Sequence, residues 1–213
     1  AFFPSDHHFS DDNAFNRHID TAYAAAASRP EMVILLGISP ETPEAEYGWI
    51  EPGLPLGSPI PDSVSSVSRF WEKPSGSVAS SLMERGCLWN SFVMVGHVHA
   101  FLNLISRALP ELLEAFESIR SSFFTAYERA ALCGLYSSIR STSFSQDVLS
   151  VQPDALAVLR ADGLGWSDLG EPSRVRSLLE RKHVHTERGF RTDFGEIDGV
   201  LARKTASGQV SGQ

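Results

Sequence analysis

A carboxylate, an ammonium group and a carboxamide stand close together in this chain. Glu72 and Lys73 follow the apolar pair Phe70-Trp71, and Asn90 follows Leu88-Trp89. Glutamate accepts hydrogen bonds from hydroxyls, asparagine both donates and accepts, and a lysine ammonium meets a phosphate as a point charge. The trio suits a ligand that carries hydroxyls and a phosphate. Polar groups at the ends of apolar segments are where α/β proteins bind ligands, because side chains there face an open crevice.

Further clusters could carry chemistry. Asp6, in Pro4-Ser5-Asp6-His7-His8, comes just after the apolar segment Ala1-Phe2-Phe3-Pro4 and should project from a strand end, where a carboxylate can hold magnesium beside phosphates. On position alone, a cap on the following turn is the simpler account. His7-His8 admits a zinc site, and with Asp6 it would make the chain a metal-dependent hydrolase; adjacent residues point apart, however, and no HxxxH or CxxC spacing accompanies them. In Gly165-Trp166-Ser167-Asp168-Leu169-Gly170, two glycines bracket a tight loop that presents Asp168, as a second magnesium ligand or as an Asx-type turn. In Glu44-Ala45-Glu46-Tyr47-Gly48-Trp49-Ile50, Gly48 lets a ligand approach the backbone, or simply leads a loop into a strand. Ser143, Ser145 and Asp147 read as a helix cap more readily than as part of a pocket. His97/His99 and His183/His185 read as surface residues. No Gly-x-Ser-x-Gly, Walker A or dinucleotide fingerprint occurs, so serine-hydrolase and P-loop chemistry lack support.

The elements that must position these residues alternate. Ser10 reads as the cap of a helix carrying Phe15, Ile19, Tyr23 and Ala26, which Pro30 stops. Met32 to Ile38 is a continuous apolar run, the pattern of a strand covered on both faces. Tyr47 to Glu51 reads as a short strand and residues 52–63, rich in Pro, Gly and Ser, as a flexible excursion. Val64 to Trp71 and Cys87 to Val95 read as strands around a helix from Ser75 to Arg85. Helices follow over Val98 to Leu109, from Pro110, and along the stripe Phe123, Tyr127, Ala131, Leu135. A strand at Leu156 to Leu159, a loop from Gly163 to Gly170 and a last helix at Val175, Leu178 and Leu179 complete the pattern. Alternation of this kind predicts an α/β fold with a mostly parallel sheet.

Composition bounds the rest. With 213 residues, 42% of them hydrophobic, the chain can bury a sizeable core. The formal net charge is −8 and the basic residues are scattered, which argues against a nucleic-acid partner. The apolar runs are far short of a membrane span. Cys87 and Cys133 both lie in apolar sequence and read as reduced core residues, which predicts a cytoplasmic protein. Ala1-Phe2-Phe3-Pro4 reads as the last part of a buried strand, so an N-terminally truncated domain is expected.

In order along residues 1 to about 180, five motifs resemble those of the sugar-1-phosphate nucleotidyltransferases, and within them the bacterial mannose-1-phosphate guanylyltransferases. They are Phe3-Pro4-Ser5-Asp6-His7; Leu35-Leu36-Gly37-Ile38 with Pro43-Glu44 and Tyr47-Gly48-Trp49-Ile50-Glu51; Phe70-Trp71-Glu72-Lys73-Pro74; Trp89-Asn90-Ser91; and Gly165-Trp166-Ser167-Asp168-Leu169-Gly170. The resemblance implies a Rossmann-like α/β/α sandwich over residues 1–203, with a flexible tail at 204–213. It implies a reaction of NTP with sugar 1-phosphate to NDP-sugar and pyrophosphate, with GTP and GDP-mannose as the implied nucleotide and product. Asp6 and Asp168 would hold Mg2+, Glu72 and Asn90 would bind sugar hydroxyls, Lys73 the sugar phosphate, and Gly48 would offer its backbone to the sugar. Asp6, Lys73 and Asp168 are thus the implied catalytic groups. Two departures stand out. Phe92 occupies the place of a glycine that usually follows Asn-Ser or Asn-Ala. The family's glycine-rich loop with its Arg and Pro-Lys, which cradles the triphosphate, is not in this sequence. The chain alone is therefore expected to be inactive, and an exposed sheet edge would favour homo-oligomers. The alternative is a non-catalytic sugar-phosphate or nucleotide-binding module, or a degenerate remnant.

Overall fold

The structure, a computed structural model, describes residues 1–186, with side chains as far as residue 180. Residues 1–168 form one compact unit, and a second begins at Leu169. The expected tail at 204–213 lies outside the described residues, as do the side chains of His183 and His185.

The first unit is organised around the run Val33–Ile38, here β2, in which all six residues are buried. Side chains alternate across a strand, so this run feeds two cores. Ile34, Leu36 and Ile38 join the small residues of helix α1 (Asp12–Ser28) and Ala79 and Leu82 of helix α2 (Gly76–Glu84). Val33 and Leu35 join Ala100, Phe101 and Leu104 of helix α3 (Val98–Ala108) on the opposite face. Covering both faces with helices makes this a Rossmann-like α/β/α sandwich, the class expected. Leu35 is fully buried at its centre, so Leu35→Ala would cost about 2–5 kcal/mol.

Four strands flank or extend β2: β3 (Trp49–Pro55), β4 (Val64–Trp71), β5 (Leu88–Gly96) and β6 (Leu156–Ala161). Their order is β2-β5-β3-β4-β6, and β6 returns to β2 to close the sheet. The sheet is mixed, but it is not mostly parallel. Only β2 and β6 pair in parallel; β2–β5, β3–β4, β3–β5 and β4–β6 are antiparallel. The physical reason lies in residues 52–63. Part of this supposed excursion continues β3 to Pro55, and the rest turns the chain back as a β3–β4 hairpin, which is antiparallel by construction. Helix α2 still serves as a crossover: it carries the chain from β4 over β3 to β5.

Other expectations are corrected locally. Asp11, not Ser10, caps α1, its Oδ1 accepting the Ala14 N–H at 2.8 Å. Ser10 instead binds the Leu164 carbonyl through its N–H, at 2.9 Å. Phe2 and Phe3 are half-exposed, and Phe2 meets β5 only through a single antiparallel bridge to Met94. Helix α4 (Pro110–Ser118) opens at its proline as expected. Helix α5 begins only at Glu128 and ends at Ser138; Phe123 and Tyr127 precede it, and Leu135 is its one buried residue. Cys87 is buried, but Cys133 is exposed on α5. Residues Phe144–Leu149 wind as a π-helical turn. Two short strands, β1 (His7–His8) and β7 (Ser167–Asp168), pair antiparallel where only a loop was expected around Asp168. In the second unit, helix α6 spans Pro172–Thr186 and contains Val175, Leu178 and Leu179. No described helix is long and apolar enough to cross a membrane.

Candidate active site

Strand register explains why Gly48, Glu72 and Asn90 meet. Trp49 pairs with Trp71 on one side and with Trp89 on the other. The next position on each antiparallel strand therefore places Gly48 between Glu72 and Asn90. A Cβ built on Gly48 would lie 3.2 Å from Glu72 Oε2, 3.4 Å from Asn90 Cβ and 3.0 Å from Phe70 Cζ. The Asn90 N–H donates to the Gly48 carbonyl at 2.8 Å. Three separated segments thus build one niche, and a side chain on Gly48 would fill it.

Each polar group in the niche has a defined state. Asn90 is buried, and its Oδ1 accepts from the Phe92 N–H at 3.1 Å, which leaves its amide group to donate outward. Burial pushes the Glu72 carboxyl above its ordinary value, while the Ser145 hydroxyl and the charge of Lys73 pull it back down. Lys73 is exposed, with Nζ 3.4 Å from Glu46 Oε2. Lys73 and Phe92 are two of the three non-glycine residues at positive φ among the described residues, at 43° and 58°. L-residues resist this conformation, and such strain tends to collect where the chain must present groups to a ligand. Phe92 lies where the β2–β5 register slips between Leu35 and Gly37, so the strand bulges beside Asn90.

Of the two candidate metal ligands, Asp168 ends β7 opposite His7 of β1, and Asp6 precedes His7 by one residue; both carboxylates act on the His7 ring. The His7 ring is held on both edges. The Trp166 indole N–H donates to its Nδ1 at 3.2 Å, and Asp6 Oδ1 lies 3.9 Å from its Nε2. Burial lowers the His7 pKa; Asp168, Asp6 and the Ser91 carbonyl oppose that shift. The Nδ1 lone pair is taken by the Trp166 N–H, so that nitrogen is not open to zinc. Among the described residues, no group of three or more His, Cys, Asp and Glu side chains could hold a metal. Asp6 and Asp168 offer oxygen donors, the type magnesium takes from a protein, one or two at a time, before completing its shell with substrate phosphates and water.

Aromatic rings bind the two halves together, a feature that motif reading missed. Trp166 packs on His7 with ring centroids 5.3 Å apart and on Tyr47 at 5.2 Å; Tyr47 packs on Trp89 at 5.1 Å. Tyr47 precedes Gly48, Trp89 precedes Asn90, Trp166 stands two before Asp168, and His7 follows Asp6. An aromatic residue close to every site residue was the available signal. Ser143 caps the π-helical turn as expected, accepting the Gln146 N–H, and Asp147 accepts the Ser143 N–H at 2.7 Å. Ser145 differs: it is buried, and its hydroxyl acts to lower the Glu72 carboxyl pKa.

Its α/β/α fold and its similarity to known proteins place this chain among the sugar-1-phosphate nucleotidyltransferases. The family model described as Nucleotidyl transferase matches residues 1–184, and the chain belongs to that family. It is 32% identical over 185 residues to the alginate biosynthesis protein AlgA of Pseudomonas putida, covering 84% of this chain and 36% of that protein. It is 28% identical over 227 residues to the mannose-1-phosphate guanylyltransferase of Escherichia coli, covering 93% of this chain and 45% of that protein. A crystal structure described as mannose-1-phosphate geranyltransferase from Thermus thermophilus superposes with a TM-score of 0.65 at 27% identity, covering 79% of this chain and 45% of that one. The chain thus spans less than half the length of these relatives.

Proposed function

We propose that this chain carries the sugar 1-phosphate site and the metal-binding carboxylates of an enzyme that joins a sugar 1-phosphate to a nucleotide and releases pyrophosphate. Mannose 1-phosphate and GTP are the proposed substrates, supported by relatives named mannose-1-phosphate guanylyltransferase. The observation that carries the reading is the niche at Gly48, bounded by Glu72 and Asn90 at 3.2 and 3.4 Å from the missing Cβ, with Lys73 beside it. The two free cysteines fit a cytoplasmic enzyme.

Each group then has a task. Glu72 accepts hydrogen bonds from sugar hydroxyls, and the Asn90 amide donates to another. Gly48 lets the ring lie against the backbone. Lys73 exchanges Glu46 for the sugar phosphate and offsets its charge. A phosphate oxygen of the sugar 1-phosphate attacks the α-phosphorus in line. The new P–O bond forms as the bond to pyrophosphate breaks, so no protein nucleophile is required and catalysis is positioning and charge stabilisation. Asp6 and Asp168 would hold magnesium, whose chemistry when bound is to offset phosphate charge.

Calorimetric titration of the chain with mannose 1-phosphate and with inorganic phosphate tests the reading. Mannose 1-phosphate should bind at least about tenfold more tightly, and Asn90→Ala should remove most of that difference, as loss of a buried hydrogen bond to a ligand does. Equal affinity for the two ligands would sink the sugar site. Pyrophosphate release on adding GTP, mannose 1-phosphate and magnesium to a longer form that also carries a triphosphate-binding loop separates an enzyme from a binding module; this chain alone should release none.

A further inference from the structure

We propose that this chain pairs with a second copy of itself through helices α4 and α5, the Phe124 ring of each copy seated in a cavity of the other. Neither Phe124 nor that cavity belongs to the proposed sugar site.

These two helices leave almost nothing in the core. Helix α4 carries Leu112, Leu113 and Phe116, and α5 carries Leu132, Leu135 and Tyr136, yet of these Leu135 alone is buried. A surface helix ordinarily buries its apolar stripe against its own core. Tyr136 is instead 63% exposed, and in the connection between the helices Tyr127 is 75% and Phe124 100% exposed. Phe124 also stands at φ 61°, a conformation that L-residues resist. A ring in full solvent has no packing to offset that strain. The connection nevertheless holds its shape. Glu128 Oε2 accepts the Phe124 N–H at 2.7 Å, while Thr125 Oγ1 donates to the Ser122 carbonyl at 2.6 Å and accepts the Tyr127 N–H at 3.2 Å. The ring is thus presented by a pre-organised loop, as an aromatic interface anchor is.

The other ends of the same helices supply the recess. A cavity of about 630 Å³ opens where the start of α4 meets the chain leaving α5, walled by Leu109, Leu112, Ala115 and Ile139. A void of about 150 Å³ already admits a benzene ring, so a phenylalanine side chain has ample room. Glu111 and Arg140 add one charge of each sign to the lining. Glu128 and Arg129 set the same two signs beside Phe124. Among the described residues, Glu111, Arg129 and Arg140 form no ion pair. With the ring seated, Glu111 faces Arg129 of the second copy, and Arg140 faces its Glu128. That complementarity is what selects a second copy of this chain over an unrelated occupant. The cavity sits at the start of α4 and Phe124 follows its end, about 13 Å of helix away, so the fully exposed ring does not reach its own copy's cavity. Two copies about a two-fold axis exchange rings reciprocally and close as a dimer.

Sedimentation velocity over a concentration series tests the pairing, with circular dichroism to verify that each variant is folded. The unmutated chain should pass from monomer to dimer as its concentration rises. Phe124→Gly removes the ring at a backbone position that suits glycine, so the fold is kept, and it should weaken the dimer at least about tenfold, as loss of a central aromatic anchor does. Glu111→Arg and Arg129→Glu should each weaken it about fivefold, and the double variant Glu111→Arg/Arg129→Glu should return it to within about twofold of the unmutated chain. A dimer indifferent to Phe124→Gly overturns the proposal, because the contact then lies elsewhere. A double charge variant no tighter than the single ones overturns it as well. So does a chain that stays monomeric at every concentration, which would leave the cavity to a small apolar ligand or an unrelated protein.

Discussion

The backbone N–H of Phe92 donates to Oδ1 of Asn90 at 3.1 Å while Phe92 itself sits at φ 58°. This bond sets which end of the Asn90 amide faces the niche, and the bulge that makes it needs a left-handed residue. Glycine adopts that conformation without strain; an L-residue resists it by about 1–2 kcal/mol. The family glycine at this place is thus explained by backbone shape, and Phe92 keeps the shape at a cost. Its ring recovers part of that cost by packing against the core cluster around Leu88 and Met94. The expected outcome is an inverted ranking: Phe92→Gly more stable than Phe92→Ala by about 1 kcal/mol, where in a strand glycine is ordinarily the weaker. Urea unfolding of the two variants measures it, and an Ala variant equal to or better than Gly would remove the strain argument.

Gly48→Ala separates binding from folding. The added methyl meets Phe70 Cζ at 3.0 Å and Glu72 Oε2 at 3.2 Å, closer than comfortable contact, and Glu72 is the more mobile of the two. Displacing that carboxylate should weaken mannose 1-phosphate at least about tenfold, while the chain loses only about 1 kcal/mol of stability, as for a modest overpacking. Calorimetry and thermal unfolding read the two quantities separately. Undiminished affinity would show that the sugar does not lie against Gly48.

Glu72 predicts a pH signature. Its folded-state pKa is raised from the usual 4.5, chiefly by burial. A raised carboxyl pKa means that the folded chain binds protons more readily than the unfolded one, so stability falls as pH rises through the window between 4.5 and the raised value. Above that window the ionised carboxylate is a standing cost. Glu72→Gln should therefore raise the thermal midpoint at pH 8, and the gain should fade as pH approaches 4.5. The same variant should lose sugar 1-phosphate binding at every pH, the usual opposition between stability and function at a site. A midpoint gain that does not depend on pH would point to a cause other than charge burial.

How much of this was legible in the sequence depends on what each residue answers to. β2 was plain because six consecutive apolar residues answer only to burial. The grouping of Glu72 with Asn90 was legible because each follows an apolar pair ending in tryptophan, and those tryptophans turn out to share one partner, Trp49. Sheet direction was not legible, because residues 52–63 carry turn chemistry that suits a wandering loop as well as a hairpin. Ser145 was hidden by its neighbours. Ser143 and Asp147 satisfy a capping pattern so well that the residue between them looked like part of it, and only tertiary packing buries it.

The choice of metal is testable at His7 and Asp168. Oxygen donors from Asp6 and Asp168 suit magnesium, whereas a zinc site would be expected to use His7, whose Nδ1 already accepts the Trp166 N–H. Elemental analysis of the chain dialysed without chelator should therefore find zinc at well under about 0.1 per chain, given the affinities that a real zinc site shows. Manganese, followed by its paramagnetic resonance, should bind weakly and report the same carboxylates. Asp168→Asn should weaken it at least about tenfold, yet leave mannose 1-phosphate affinity within about threefold, because Glu72 and Asn90 do not depend on the metal. In a longer form that also carries a triphosphate-binding loop, Asp168→Ala should lower turnover of GTP and mannose 1-phosphate by about a hundredfold or more, the scale of losing charge stabilisation at a transferring phosphate. Stoichiometric zinc released by His7→Gln would overturn the magnesium assignment, and undiminished turnover in Asp168→Ala would remove Asp168 from it.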